Sequence, residues 1–442
     1  MPNSASPMGD QVPTVVLDDD PTGTQMATGV TVLLEWSAQR IAEVLAAKGS
    51  LYVQTNSRAL DEKAAVELSL ALREAIDAAS AELGRPVRVV LRGDSTLRGH
   101  VFTESEVFAG DDSPVLFVPA FPQGGRTTLD SVHYLVVDGV RMPVGETEFA
   151  QDPVFGFTAS NLVDWVREKG DAQGYGYPVA ELRESNGAGL AELLTTVPAG
   201  AWVVPDAETD EDIALIHAAL QQAERAGRAV VIRCAATLAA LCAEVLSTSL
   251  LSRPLTVAAG GEMPGKVLVV CGSHTGASTR QLTALCDAYG LKPVEISTDA
   301  AFEDPRAAGA AAAERVLEAF GSTDLVVLSS ERHRRPEDDT LSHGELVMRA
   351  LMTATATVLR RVRTVVSKGG ITSAEVARVG LDATEATVRG QVAPGISVWD
   401  LFNDGVPGTQ IVVPGNVGDT GALIDVIEAT GIHFASKETQ QA

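Results

Sequence analysis

The sequence predicts an α/β protein of two domains, each a largely parallel β-sheet layered with helices. Apolar β-branched runs alternate with amphipathic helical patterns along most of the chain, as expected when strands and helices occupy separate layers. The 442 residues exceed one domain of the usual ~100–200 residues. One Pro- and Gly-rich stretch, Ser252 to Lys266, separates a helical region from a fresh strand and is the best boundary. The expected division is a disordered start at 1–11, a first domain at 12–251, a linker at 252–266, a second domain at 267–435 and a tail at 436–442.

Thr14-Val15-Val16-Leu17 reads as a first buried strand and Gly29 to Leu34 as a second. Ser37 is a fitting N-cap for a helix with Ile41, Val44 and Leu45 on one face and Gly49 as its stop. Leu51 to Gln54 is strand-like. Asp61 caps a helix in which Ala65, Leu68, Leu72 and Ile76 recur at helical spacing up to about Gly84. Val87 to Leu91 and Val115 to Val118 are two more short apolar runs. Beyond the boundary one pattern comes three times: strand, Gly-containing turn, helix start. Val267 to Val270 leads into Cys271-Gly272-Ser273-His274-Thr275-Gly276, and Thr364-Val365-Val366 into Ser367-Lys368-Gly369-Gly370. Ile411-Val412-Val413 leads into Pro414-Gly415-Asn416-Val417-Gly418.

The formal charge of −24, from 34 basic and 58 acidic residues, excludes a general nucleic-acid binder and disfavours an anionic membrane surface. No apolar run reaches the ~18–20 residues of a membrane span. Met1 to Gln11 lacks the basic flank and apolar stretch of a secretory signal. Cys234, Cys242, Cys271 and Cys286 have no CxxC spacing and sit in apolar segments, so they read as buried thiols in a reducing cytoplasm.

A turn between a strand and a helix N-terminus offers unpaired backbone N–H groups and the positive end of the helix dipole. Phosphate is its natural guest. Three such turns, two of them rich in Ser and Thr, make nucleotide binding as good a reading as plain α/β connections. None is a P-loop or a GxGxxG fingerprint. Lys368, beside the glycines, suits a phosphate contact or a solvated strand end equally.

In the first half, Asp18-Asp19-Asp20-Pro21-Thr22-Gly23 follows the first strand directly. Three adjacent carboxylates repel one another, so a metal, a basic partner or solvent must compensate them. Asn56-Ser57-Arg58, Arg92-Gly93-Asp94-Ser95-Thr96-Leu97-Arg98-Gly99 and Pro119 to Arg126 follow successive strands. Arg58, Arg98 and Arg126 would then converge on one rim, where guanidinium forks suit a carboxylate or a phosphate. Asp94 and the Ser95 and Thr96 hydroxyls suit sugar hydroxyls. Together these motifs fit a site for a small hydroxylated anion. His100 and His133 lie near it, as site residues or as packed histidines. His217, His333, His343 and His433 form no metal-ligand spacing, and Glu331 to Arg335 is a basic island that reads as a solvated loop or a lid over phosphates.

These residues together resemble the four-carbon acid sugar kinase family, over most of the chain. Asp19-Asp20-Pro21-Thr22-Gly23, Ser57-Arg58, Asp94 to Gly99 and Pro119-Ala120-Phe121-Pro122 with Gly125-Arg126 are similar to its first-half motifs. Gly272-Ser273-His274-Thr275, Gly369-Gly370-Ile371-Thr372 and Gly415-Asn416-Val417-Gly418 resemble its later glycine loops. The resemblance implies an N-terminal sugar-acid-binding domain, a C-terminal nucleotide-binding domain and an active site in the cleft between them. It implies ATP-dependent phosphorylation of a threonate, an erythronate or a 3-oxo-tetronate in carbohydrate catabolism, with ATP and Mg²⁺ as cofactors. Arg58, with Arg98 or Arg126, would hold the substrate carboxylate, with Asp19, Ser57, Ser95 and Thr96 lining that site, and Asp20 or Asp94 would orient the attacking hydroxyl and accept its proton. Ser273, Thr275, Lys368, Gly369, Gly370, Thr372, Gly415 and Asn416 would meet the nucleotide. A homodimer is compatible with the sequence. Two departures stand out: Ile371 where many members have an acidic residue, and Val413-Pro414 where many have Lys-Ser. Both remove polar groups from the nucleotide side.

Two other readings compete. Val15 to Thr22 also fits the Asp-x-Asp-x-Thr of haloacid-dehalogenase-type phosphatases, with Asp18 as nucleophile and Asp20 as acid/base. A non-catalytic sensor of sugar acids or nucleotides would bind the same ligands without turnover.

Overall fold

The computed structural model describes residues 12–137, 139–255, 265–332, 341–359, 362, 364–403 and 406–432. The expected disordered start at 1–11, the tail at 436–442, the middle of the 252–266 linker, His333, His433 and the basic run beyond Arg332 lie outside the described residues. The chain divides into two compact units, Met1–Met26 with Val30–Leu246, and Ala27–Gly29 with Ser247–Ala442.

The first unit contains β1 (Thr14–Asp18), β2 (Thr31–Leu33), β3 (Ser50–Gln54), β4 (Arg88–Arg92), β5 (Val115–Val118), β6 (Arg126–Leu129), β7 (Val132–Val137), β8 (Val140–Pro143), β9 (Gly174–Tyr177), β10 (Trp202–Pro205) and β11 (Val231–Cys234). Eight of them pair in the order β2-β3-β1-β4-β11-β5-β10-β9, and every pairing is parallel. All their carboxyl ends therefore share one edge. At β1 the neighbours β3 and β4 lie on opposite sides, so the connections diverge there, and that is where open α/β sheets place their ligands. The register sets Asp18 level with Gln54 and with Arg92.

The expected helices form as their caps dictate. Ser37 accepts from Arg40 N before the helix Ala38–Lys48, and Asp61 from Ala64 N before Glu62–Leu83. Gly49 and Gly84 end them in the left-handed region. The core of this unit gathers Phe117, Trp165 and Trp202, with Phe102 packed against it. The second strand is shorter than its apolar run suggests. Ala27–Gly29 counts with the other unit, where Gly29 N donates to Val388 O at 2.7 Å and Thr28 Oγ1 to Arg389 O at 3.0 Å. The sequence did not announce β6, β7 and β8, which form a separate antiparallel sheet.

The second unit contains β12 (Val267–Cys271), β13 (Val294–Ile296), β14 (Leu325–Ser330), β15 (Thr364–Lys368), β16 (Glu385–Ala393), β17 (Ile396–Asn403) and β18 (Val406–Val413). Their order is β13-β14-β12-β15-β18-β17-β16. The first five pair in parallel, and β17 and β16 add antiparallel strands. On β12, Val267, Val269 and Cys271 join one core and Leu268 and Val270 the other. This period of two explains why the strand reads as an unbroken apolar run: both faces are covered. The helices Gly276–Tyr289 and Ala422–Ala429 bury Leu282, Leu285, Leu423, Val426 and Ile427 in the first of these cores.

All four cysteines are buried and free. Among the described residues no helix is long and apolar enough to cross a membrane.

Candidate active site

The carboxylate triplet is not solvated: a buried arginine faces all three of its members. Arg92, which closes β4 and is only 2% exposed, places Nη1 at 3.0 Å from Asp18 Oδ1, 3.3 Å from Asp19 Oδ1 and 3.1 Å from Asp20 Oδ1. Its Nη2 donates to Thr22 Oγ1 at 3.2 Å. Asp20 also accepts from Thr22 N at 2.7 Å and pairs with Arg58 through its other oxygen. The basic partner is thus a strand residue that sequence reasoning passed over. Its signal was an arginine ending an apolar strand, where Val89-Val90-Leu91 leads one to expect another apolar residue. Behind Asp19 lies a cavity of about 10 Å³, lined by Asp19, Ser57, Ser69, Arg92, Glu104 and Arg233, with Arg233 paired to Glu104. It has room for about one water.

The next two loops bring the expected arginines to a common partner. Arg58, whose side chain is 11% exposed, reaches Asp94 Oδ2 at 3.5 Å and Asp19 Oδ2 at 4.0 Å. Arg98 Nε donates to Asp94 Oδ2 at 2.7 Å, while its guanidinium lies 4.9 Å from the Phe149 ring centroid and 3.9 Å from Asp152. Arg126 is buried, donates to Gly124 O and feels the charges of Asp94 and Arg98; burial pulls its pKa down to about 10. Burial alone would raise the Asp94 carboxyl, but Arg98 and Arg58 hold it well below the usual range. Both loops are strained into place: Asn56 (φ 51°) and the buried Leu97 (φ 70°) occupy the left-handed region. Thr96 Oγ1 donates to Asp94, and Ser95 is buried with its carbonyl bonded to His133 Nε2 at 2.9 Å. His133 also meets Thr128 Oγ1 at 3.0 Å, and burial pulls its pKa to about 4. His100 bonds Leu60 O at 3.0 Å and stacks edge-on against Phe155. Both histidines are therefore packed and satisfied.

Oxygens of Asp18, Asp19 and Asp20 lie within 4.8 Å of one another, a spacing that a metal ion would suit. The Arg92 guanidinium takes that position, so the triplet as arranged does not fit Mg²⁺. Nor does it fit a phosphatase nucleophile: Asp18 is 0% exposed, with Gly23 packed so closely that a Cβ there would overlap the carboxylate.

In the second unit the three glycine turns meet at the carboxyl ends of β12, β15 and β18, which the register sets level at Cys271, Lys368 and Val413. Thr275 Oγ1 and Ser278 Oγ donate to Gly415 O at 2.8 and 3.0 Å. Gln281 Nε2 donates to Val417 O at 3.1 Å and Gly418 O at 3.0 Å. Ser278 Oγ donates to Ser273 Oγ at 2.8 Å. Gly369 (φ +110°) packs so tightly that an added Cβ would lie 2.8 Å from Ser273 Cβ. Thr372 is buried in the helix Gly370–Glu375 that follows, and Asn416 sits beside Gly415 in its turn. Lys368 is not solvated: it is 0% exposed, its Nζ donates to Pro414 O, and burial lowers its pKa to about 7. Arg332, from the island expected as a solvated loop or a lid over phosphates, donates to Ser273 O and to Thr279 Oγ1 at 3.0 Å. Ile371 is exposed at the mouth of its turn.

One unit thus offers an arginine-rimmed, carboxylate-lined edge and the other a cluster of glycine turns, the division of labour of a protein that binds a small acid and a nucleotide. Two family models match accordingly: a sugar-binding N-terminal domain over residues 14–242 and a nucleotide-binding C-terminal domain over 268–423. The chain belongs to the four-carbon acid sugar kinase family. It is 30% identical to a D-threonate kinase of Bordetella bronchiseptica over 389 residues, 87% of this chain and 83% of that one. Its fold is similar to that of a Salmonella typhimurium protein described as a putative tRNA synthase (TM-score 0.62, 17% identity, 97% of this chain and 100% of that one). A Haemophilus influenzae protein shares it too (TM-score 0.59, 16% identity, 95% and 100%).

Proposed function

We propose that this protein is an ATP-dependent kinase that phosphorylates a hydroxyl of a four-carbon sugar acid of the threonate, erythronate or 3-oxo-tetronate type, in cytoplasmic carbohydrate catabolism. The observation that carries the reading is the meeting of Arg58 and Arg98 on Asp94 at the carboxyl edge of the first unit's parallel sheet. Arg58 has the geometry to exchange part of its pairing for a substrate carboxylate, the bidentate recognition that guanidinium favours. Asp94, held ionised across the neutral range by two arginines, orients a substrate hydroxyl as an acceptor. It is a weak base, but a loose phosphoryl-transfer transition state asks chiefly for positioning and charge stabilisation. Asp20 is saturated by Arg58, Arg92 and Thr22, so it holds Arg58 in place and does not take the proton. ATP enters as its Mg²⁺ complex, a substrate, and its phosphates meet the glycine turns of the second unit. Ser273, Thr275, Gly369, Gly370, Thr372, Gly415 and Asn416 shape those turns, and Lys368 fixes one of them from beneath.

A coupled ADP-release assay over a panel of four-carbon sugar acids tests the reading. Turnover dependent on one of the acids is expected, and release of phosphate from phosphoesters without ATP would overturn it. Arg58→Gln removes charge-assisted hydrogen bonds worth roughly 1.5–3 kcal/mol, so KM for the acid should rise about 10- to 100-fold while KM for ATP stays within about twofold. Asp94→Asn should lower kcat/KM for the acid by at least about 100-fold, and near-normal turnover would remove Asp94 from the mechanism.

A further inference from the structure

The aspartate cluster at the end of β1 shares its basic partners, and Arg98, the nearest partner of Asp94, feels the charge of Asp19 as well. Asp18, Asp19 and Asp20 share Arg92, while Arg58 serves Asp19 and Asp20 and is drawn on by Asp94 as well. The two guanidiniums at contact distance are thus each shared among several carboxylates, while Asp94 is held chiefly by Arg98. From β3, Tyr52 faces Asp18 with a hydroxyl that burial keeps protonated, and Gln54 Nε2 donates to the Asp18 carbonyl at 3.2 Å. From β11, Cys234 is likewise kept neutral by burial. Asp18 is the deepest of the three carboxylates, and its Oδ2 has no hydrogen-bond partner among the described residues. An acid whose carboxylate docks on Arg58 adds one more anion to this group, and buried like charges cannot all remain ionised.

We propose that Asp18 is a positioning residue of the sugar-acid site, taking a proton from solvent when the substrate carboxylate docks on Arg58 and returning it when the acid leaves. The unpaired Oδ2 is where the proton goes; Asp18 Oδ1 keeps its bond from Arg92, and the arginine charge it releases is left for the incoming carboxylate. Burial, only partly offset by Arg92, raises the Asp18 carboxyl to about 7, so the proton is exchangeable near neutrality. The inference rests on the sugar-acid reading of this site.

Titration calorimetry of the full-length protein decides it, using D-threonate or the panel acid that turns over, in buffers of different ionisation enthalpy. At pH 7.5 the binding heat should vary with the buffer as for net proton uptake, and the variation should fade towards pH 5.5. KM for the acid should rise about tenfold per pH unit above 7. Asp18→Asn, a neutral isostere, should bind the acid at least as tightly at pH 8.5, with no buffer dependence and a flat KM profile. Binding without buffer dependence in the wild type, or an unchanged slope in Asp18→Asn, overturns this inference and leaves the kinase reading standing. Failure of every acid to bind overturns both. Should Asp18→Asn not fold, the two wild-type experiments still decide.

Discussion

Lys368 and Asp18 are both fully buried ionisable groups, and burial moves them in opposite senses. The lysine falls from 10.5 to about 7, so between those values the unfolded chain binds more protons than the native one and stability climbs with pH. The aspartate rises from 3.8 to about 7, so across that window the native chain holds the extra proton and stability falls as pH rises. Lys368→Met should therefore raise Tm most near pH 6, with the gain fading towards pH 10. It should also raise KM for ATP severalfold, because Pro414 O loses its donor; thermal melts across pH and steady-state kinetics check the two halves separately. At this scale the candidate site was legible where polar residues cluster after apolar strands. Asp19, Asp20, Arg58, Asp94 and Arg98 could be named because they sit in polar loops after strands. The roles of Arg92 and Arg233 could not, because Arg92 finds its carboxylates only once β4 lies beside β1. Arg233, on an apolar strand, finds Glu104 only across the fold, in the helix Val101–Phe108.

Strands covered on both faces announce themselves, and helices with side-chain caps do too, so β1, β3, β5, β12 and the helices after Ser37, Asp61 and Thr275 were legible. The antiparallel β6-β7 turn was not. Its Asp130 and Ser131 take left-handed conformations, held by the Asp206 carboxylate, which accepts from both their amides at 2.8 Å across 76 and 75 residues of sequence. The glycine turns could be found singly, but their mutual contact is a property of the second sheet. The helix Gly276–Tyr289 organises them: Thr275, Ser278 and Gln281 follow one another at turn spacing and bind the carbonyls of residues 415, 417 and 418. Gly369→Ala should cost on the order of 1–3 kcal/mol, since it adds a side chain at φ +110° against Ser273. Denaturant melts read that loss, and the accompanying rise in KM for ATP should leave KM for the acid unchanged.

The whole chain carries a formal −24 although its proposed substrates are anions. The arginines act at contact distance, but the exterior acts first, as long-range repulsion that salt screens with a Debye length of ~10 Å at 0.1 M. Raising ionic strength from about 10 to 150 mM should therefore raise kcat/KM for the sugar acid; a steep fall would mean that the local arginine field dominates the approach. Another whole-molecule property follows from where the thiols lie. All four cysteines are buried, and burial pushes each of them above the ordinary thiol range. The native protein is consequently a dark background for maleimide chemistry. A lone fluorophore attached through Ile371→Cys, at a position 40% exposed beside the Gly369-Gly370 turn, would report the arrival of nucleotide with no other residue to be removed first.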